Sequence, residues 1–288
     1  MSGFTPKHVL CPVDFSEHSA AALRVAGGLA KAFQADVIVV HAQRLEAPAY
    51  FTVAQAQALK AQLRRSAKAA KAYVDQFVAQ HLAEGVNHSV LLIEDDPVSA
   101  VLHAVRETRA GVIVMGTHGR TGLLRIRLGS VMESILRQVT VPVLTVGPHI
   151  QPAAGLGQIR KILCPVNYSD LARATFEHAA AVAETTGAEL QVTHVLESGA
   201  GTGQAPDQAR EQLCGWVPAD VRGRCKIKEA VRQGTAAEQI VSEAKSYRAD
   251  LIVVGAHPRS FLGTILFGST TEMVIRRAPC PVLSIIRK

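Results

Sequence analysis

Apolar residues in this chain gather in short runs, separated by longer stretches in which they recur every three or four positions. HVLCPV (8–13), DVIVVHA (36–42), SVLLI (89–93), GVIVM (111–115) and PVLTV (142–146) read as strands, because unbroken β-branched runs bounded by polar or turn residues fit strands covered on both faces. Val98, Val101, Leu102 and Val105 stand at i, i+3, i+4 and i+7, the apolar stripe of a helix laid on a sheet. The Ala-, Gln- and Lys-rich segment 54–84 reads as the most solvent-exposed helix of this half. Strands alternating with helices predict a parallel sheet with right-handed crossovers and helices on both faces. In such sheets ligands bind beyond the carboxyl ends of the strands, where strand order reverses.

The pattern then repeats. VLCPVDFS (9–16) returns as ILCPVNYS (162–169), VIVMG (112–116) as LIVVG (251–255), and PVLTV (142–146) as PVLSI (281–285). The offset is 153 residues for the first pair and 139 for the other two, so the second copy is 14 residues shorter between its first and fourth strands. Ala237, Ile240, Val241 and Ala244 reproduce the helical stripe. The Gly- and Pro-rich GPHIQPAAGLGQ between the copies reads as a linker. The expected division is a domain over 1–147, a linker over 148–158 and a diverged domain over 159–288.

Composition narrows the class. Hydrophobic residues make up 48% of the 288, charged residues 19% and aromatics 5%, which supports packed cores built on aliphatic side chains. Five scattered cysteines, without CxxC spacing, argue against a disulfide framework or structural zinc. The N-terminus shows no apolar targeting core and no stretch has the length of a membrane span, so a cytoplasmic protein without a membrane role is expected. A formal charge of +7 is spread along the chain without a basic–aromatic motif, which favours small phosphate anions over nucleic acid.

Candidate chemistry sits at the strand ends. The first strand runs into Pro12-Val13-Asp14, and the fourth into Met115-Gly116-Thr117-His118-Gly119, followed by Gly129-Ser130 opening a helix. Glycines allow positive φ and close backbone approach, and a helix start offers unpaired N–H groups to an anion. Arg120, Arg125 and Arg127 could neutralise further phosphate charge, and the two oxygens of Asp14 suit a pair of ribose hydroxyls. Each feature alone has a plainer reading: Asp14 or Ser130 as a helix cap, the arginines as a solvated loop. Their conjunction is what points to a nucleotide. His41 and His194 hold matching places, as do His118 and His257. Neither GxxxxGK[ST] nor GxGxxG occurs, Glu133 is the one acidic residue near the glycine loop besides Asp14, and no catalytic residue is assigned.

These motifs resemble those of the universal stress protein family in its tandem form. Gly116, Gly119, Gly129 and Ser130 match its glycine pattern, and Pro12, Asp14 and Ser16 its first-strand motif. The resemblance implies two flavodoxin-like, Rossmann-like α/β domains, each with a five-stranded parallel sheet, whose last strands pair with one another. It also implies adenine nucleotide at the strand ends: ATP, or ADP or AMP, with Mg2+ as an optional companion. Asp14 would then contact ribose, and Pro12, Val13, Ala42 and Met115 would surround adenine, partly through backbone groups. Gly116, Gly119, Gly129, Ser130 and Val131 would hold phosphates, with Arg120 beside them. The second copy departs from the pattern at Asn167 and Pro258. Proline has no N–H to donate and an amide cannot accept from two hydroxyls, so two independent losses point to weak or absent nucleotide binding there. The reading is a stress-response sensor or adaptor in which ATP orders 117–128 for an unidentified protein partner, with a homodimer as the further assembly. A slow ATPase or phosphotransfer protein, or a pairing module without nucleotide, are the alternatives.

Overall fold

The computed structural model describes residues 4–43, 68–119, 128–147, 150, 159–197, 205–256, 258–261 and 264–286. The linker (Ile150 apart), the segment 54–67 and Arg120, Arg125 and Arg127 lie outside them.

The first half runs β1 (His8–Pro12), α1 (Glu17–Phe33), β2 (Asp36–Ala42), α2 (described over 68–81), β3 (His88–Ile93), α3 (Pro97–Thr108), β4 (Val112–Gly116), α4 (Ser130–Gln138) and β5 (Val143–Val146). The five apolar runs are therefore strands, with bounds within a residue of those the pattern implies. The second half continues with β6 (Lys161–Val166), α5 (Asp170–Thr186), β7 (Glu189–Leu196), α6 (Pro206–Trp216), α7 (Ala219–Arg224), β8 (Lys226–Gln233), α8 (Ala236–Tyr247) and β9 (Leu251–Ala256). A hairpin of β10 (Pro258–Phe261) and β11 (Thr264–Phe267) follows, then α9 (Ser269–Arg277) and β12 (Val282–Ile286). The hairpin was not foreseen from the repeat. Its Pro258 is the first residue of its strand, a position where a missing N–H is tolerated.

Strand order is β3-β2-β1-β4-β5-β12-β9-β6-β7-β8. Each half is a five-stranded parallel sheet in the doubly wound order, and β5 and β12 join the halves antiparallel, pairing Val143 with Ser284, Leu144 with Leu283 and Thr145 with Val282. The last strands thus pair within one chain, making a single ten-stranded mixed sheet.

Alternation along the buried strands divides the apolar side chains between two clusters, one on each face. Val9, Cys11, Val37 and Val39 pack with α1, α2, α5 and α6. Leu10, Ile38, Val40 and Ile113 pack with α3, α4, α8 and α9. Both clusters cross the β5–β12 joint. In α3, Val101 is buried and Val98, Leu102 and Val105 pack beside it, as the stripe predicts; in α8, Ala237, Ile240, Val241 and Ala244 are all buried. The described part of α2 is mostly exposed and anchored by Val74 and Val78.

Leu144 and Leu283 are each 2% exposed at the centre of the joint. Leu144→Ala is expected to cost about 2–5 kcal/mol by loss of burial and a residual cavity, measured by chemical denaturation of the full chain.

Candidate functional site

β1 stays paired with β4 only at Val9–Val112 and Leu10–Ile113, whereas its pairing with β2 continues to Pro12–Val40. Past Leu10 the two strands therefore separate, at the point where strand order reverses. The opening is a cavity of about 440 Å³. The end of β1 contributes Pro12, Val13 and Asp14, β2 contributes Ala42, and β4 contributes Met115 and Gly116. Gly119 lines it from the following turn, and Gly129, Ser130 and Val131 from the start of α4. Every sequence-derived site residue among the described ones meets in this one cavity. Its apolar floor of Val40, Val101 and Met132 was missed, because buried Val and Met in a strand or helix carry no signal beyond core.

The geometry reassigns several roles. Asp14 is not a helix cap: Ser16 caps α1, accepting from Ser19 N, and Asp14 Oδ1 accepts from both Ser16 N (3.1 Å) and Ser16 Oγ (2.5 Å). Oδ2 lies on the Gly119 side of the carboxylate. Phe15, between them, has φ of 64°, and its counterpart Tyr168 has 62°. An aromatic residue there is strained. Packing holds it: Phe15 lies against His41 and meets Tyr73 edge-on, and Tyr168 does the same with His194 and Trp216. An aromatic residue after the Asp or Asn in both copies was the available signal.

None of Gly116, Gly119 and Gly129 has positive φ, so the left-handed conformation is not why they are glycine. A Cβ on Gly116 would stand 2.9 Å from His18 Cβ and 3.1 Å from the His18 carbonyl. Its counterpart Gly255 would strike Leu171 at 2.7 Å. Both therefore serve the close passage of a helix over a strand end. A Cβ on Gly119 would lie 2.8 Å from Asp14 Oδ2. The residues that differ in the second half, Asn167 and Pro258, thus correspond to the two sides of one contact. The positions of the two departures therefore face each other in the first half.

Backbone donors are also fewer than expected. Gly129 N donates to Thr117 O (2.9 Å), and Thr117 N to Val146 O. Val13 N donates to Val40 O, while Val13 O accepts from His41 Nδ1 at 2.8 Å. His194 makes the same bond to Val166 O at 2.9 Å, so these two histidines are latches between strand ends rather than reactive groups. Ser130, Val131 and Met132, the first turn of α4, carry the amides with no intrahelical partner, and no side chain caps them. α1 and α3, by contrast, are capped by Ser16 and Asp96. At the α4 end of the cavity His118 Nδ1 bonds Thr117 Oγ1 at 3.0 Å, and its ring lies 5.8 Å from that of His18. Glu133 is paired with Arg137.

Among the described residues no group of three His, Cys, Asp or Glu could hold a metal, and no helix is long and apolar enough to cross a membrane.

The chain matches the model of the Universal stress protein family twice, over residues 5–147 and 158–285. A universal stress protein of Mycolicibacterium smegmatis is 26% identical over 298 residues, covering 96% of this chain and 95% of that protein. One of Mycobacterium tuberculosis is 29% identical over 206 residues, covering 67% of this chain and 66% of its own. The crystal structure of a universal stress protein from Archaeoglobus fulgidus shares the fold at a TM-score of 0.73 and 24% identity, over 98% of this chain and 99% of that one.

Two outcomes follow from the contacts. Gly116→Ala should lower stability by about 1–3 kcal/mol, because the added methyl meets helix backbone, while Gly119→Ala meets only the outer oxygen of one carboxylate and should shift the denaturation midpoint less. Burial pushes the Cys164 thiol up to about 12 and raises that of Cys11 as well, so both stay protonated at pH 8. Iodoacetamide labelling of the folded chain, read by mass spectrometry, should modify exposed Cys214 and spare these two.

Proposed function

This chain belongs to the universal stress protein family, and from that premise we propose that it is a stress-response sensor or adaptor that holds ATP in the cavity of its first half. The observation that carries the reading is the convergence of Pro12, Val13, Asp14, Ala42, Met115, Gly116, Gly119, Gly129, Ser130 and Val131 on one cavity at the switch in strand order.

The residues divide the ligand by chemistry. Val40, Ala42, Val101 and Met115 form an apolar slot suited to the faces of adenine. The backbone of Val13 is already engaged, so it contributes its side chain. The Asp14 carboxylate would contact ribose. The uncapped amides of Ser130, Val131 and Met132, at the positive end of α4, face the place for phosphate oxygens. Gly119 contributes room, since any side chain there would contest the space with the Asp14 carboxylate. Gly116 supports the site through helix packing. An accompanying Mg2+ would sit on the nucleotide's phosphates. The domain division near 147 and 159, the homodimer and a protein partner reading the segment 117–128 belong to the same proposal.

Calorimetry on the full chain tests it. Gly119→Pro should weaken ATP binding at least about tenfold, roughly the 1.4 kcal/mol of one good contact or more, and Asp14→Asn should weaken it less. Pro258→Gly should change nothing. Undiminished ATP binding by Gly119→Pro, or none by the wild type, would refute the assignment.

A further inference from the structure

The second half has a cavity of its own, about 330 Å³, in the corresponding place. β6 and β9 pair only at Ile162–Leu251 and Leu163–Ile252 before separating. Its floor is chemically different. Thr193 replaces Val40 by the 153-residue offset, and its side chain is fully buried yet lines the cavity. Behind it Gln191, at the position of Ile38, donates from Nε2 to Thr193 Oγ1 (3.4 Å) and to Glu243 Oε1. Glu243, at the position of Ala104, pairs through Oε2 with Arg232 Nε at 2.6 Å, and Arg232 stands where the first half has Ile93. Four apolar positions have thus become one polar network, buried from Thr193 to Glu243 and reaching solvent at Arg232, that ends at the cavity floor. Such a network gains little over apolar packing in stability, and it orients Thr193: with Oγ1 accepting from Gln191, the hydroxyl hydrogen is the group left for the cavity.

The remaining walls complete a donor-rich site with one acceptor. α9 begins at Ser269 with no side-chain cap, so the amides of its first turn, Thr270 and Thr271 among them, are open to an oxyanion. Asn167 spends Oδ1 on Ser169, which leaves its amide N–H groups. Glu197 accepts from Ala236 N through Oε1 and retains Oε2 as the one carboxylate acceptor lining the cavity. Pro258 has no amide where Gly119 has one, so the first turn of α9 is the anion-binding wall and suits a single phosphate. A buried O–H donor and a carboxylate acceptor together match a ring edge carrying C=O beside N–H, and the smaller volume suits a single ring.

We infer that the second cavity is a separate binding site for a monophosphate bearing a small lactam-type ring, the pyrimidine-nucleotide class, rather than for ATP. It rests on reading the strand-end cavities as ligand sites, but not on ATP in the first. The probe is UMP, titrated into the full chain and followed by calorimetry, with AMP, ATP and inorganic phosphate in parallel. UMP should bind wild type and Gly119→Pro equally, with a dissociation constant below about 1 mM, and more tightly than AMP or phosphate. Thr193→Val, which installs the first half's residue, should weaken UMP about tenfold at unchanged thermal midpoint, and Glu197→Gln should weaken it too. ATP affinity should be untouched by either. Absence of UMP binding, loss of it in Gly119→Pro, indifference to Thr193→Val, or equal binding of AMP would overturn the inference, whereas failure of ATP alone would leave it standing and refute only the first assignment.

Discussion

Everything proposed for this protein depends on where two hydrogen-bonded strands stop being neighbours. β1 and β4 are parallel neighbours, but the chain leaves β1 toward β2 on one side and β4 toward β5 on the other, so no crossover helix covers the gap between their ends. Their ladder closes after Leu10 and Ile113, and beyond it backbone and side chains border a cavity instead of a core. The same parting of β6 and β9 makes the second cavity. The buried sheet, with its two apolar clusters continuous across the β5–β12 joint, gives both openings rigid walls.

On that shared frame the halves have separated in chemistry rather than in shape. Gly255 persists opposite Gly116 because a helix passes over the strand end in both halves; its retention says nothing about ligand. A Cβ on Gly119 would stand 2.8 Å from Asp14 Oδ2, so the Asn167 and Pro258 pair reads as one coordinated change. The Asx turn survives it, since Asn167 Oδ1 holds Ser169 as Asp14 Oδ1 holds Ser16. What is given up is the outer carboxylate oxygen and the bare backbone beside it, the two features that the nucleotide reading needs.

The fold was legible because each strand is buried on both faces and so appears as an unbroken apolar run, and because the repeat displays each run twice. The place of the site was legible for a related reason: Gly, Asp and Ser at strand ends interrupt those runs. The roles were less so. A glycine's reason for being glycine is its neighbour in space, and His18 is remote from Gly116 in sequence, as Asp14 is from Gly119. Whether an amide is available depends on its partner, and nothing in VMGTHG says that Gly129 N is spent on Thr117 O. The polar network from Thr193 to Arg232 was invisible for the same reason, since its members come from β7, β8 and α8 and are each unremarkable alone.

The central claim concerns particular amides, so amide-resolved spectroscopy addresses it most directly. In 15N-labelled full-length chain titrated with ATP, the account predicts the largest shifts at Ser130, Val131 and Met132, with Thr270 and Thr271 unmoved. Shifts of equal size at the starts of α4 and α9, or none at the start of α4, would contradict it.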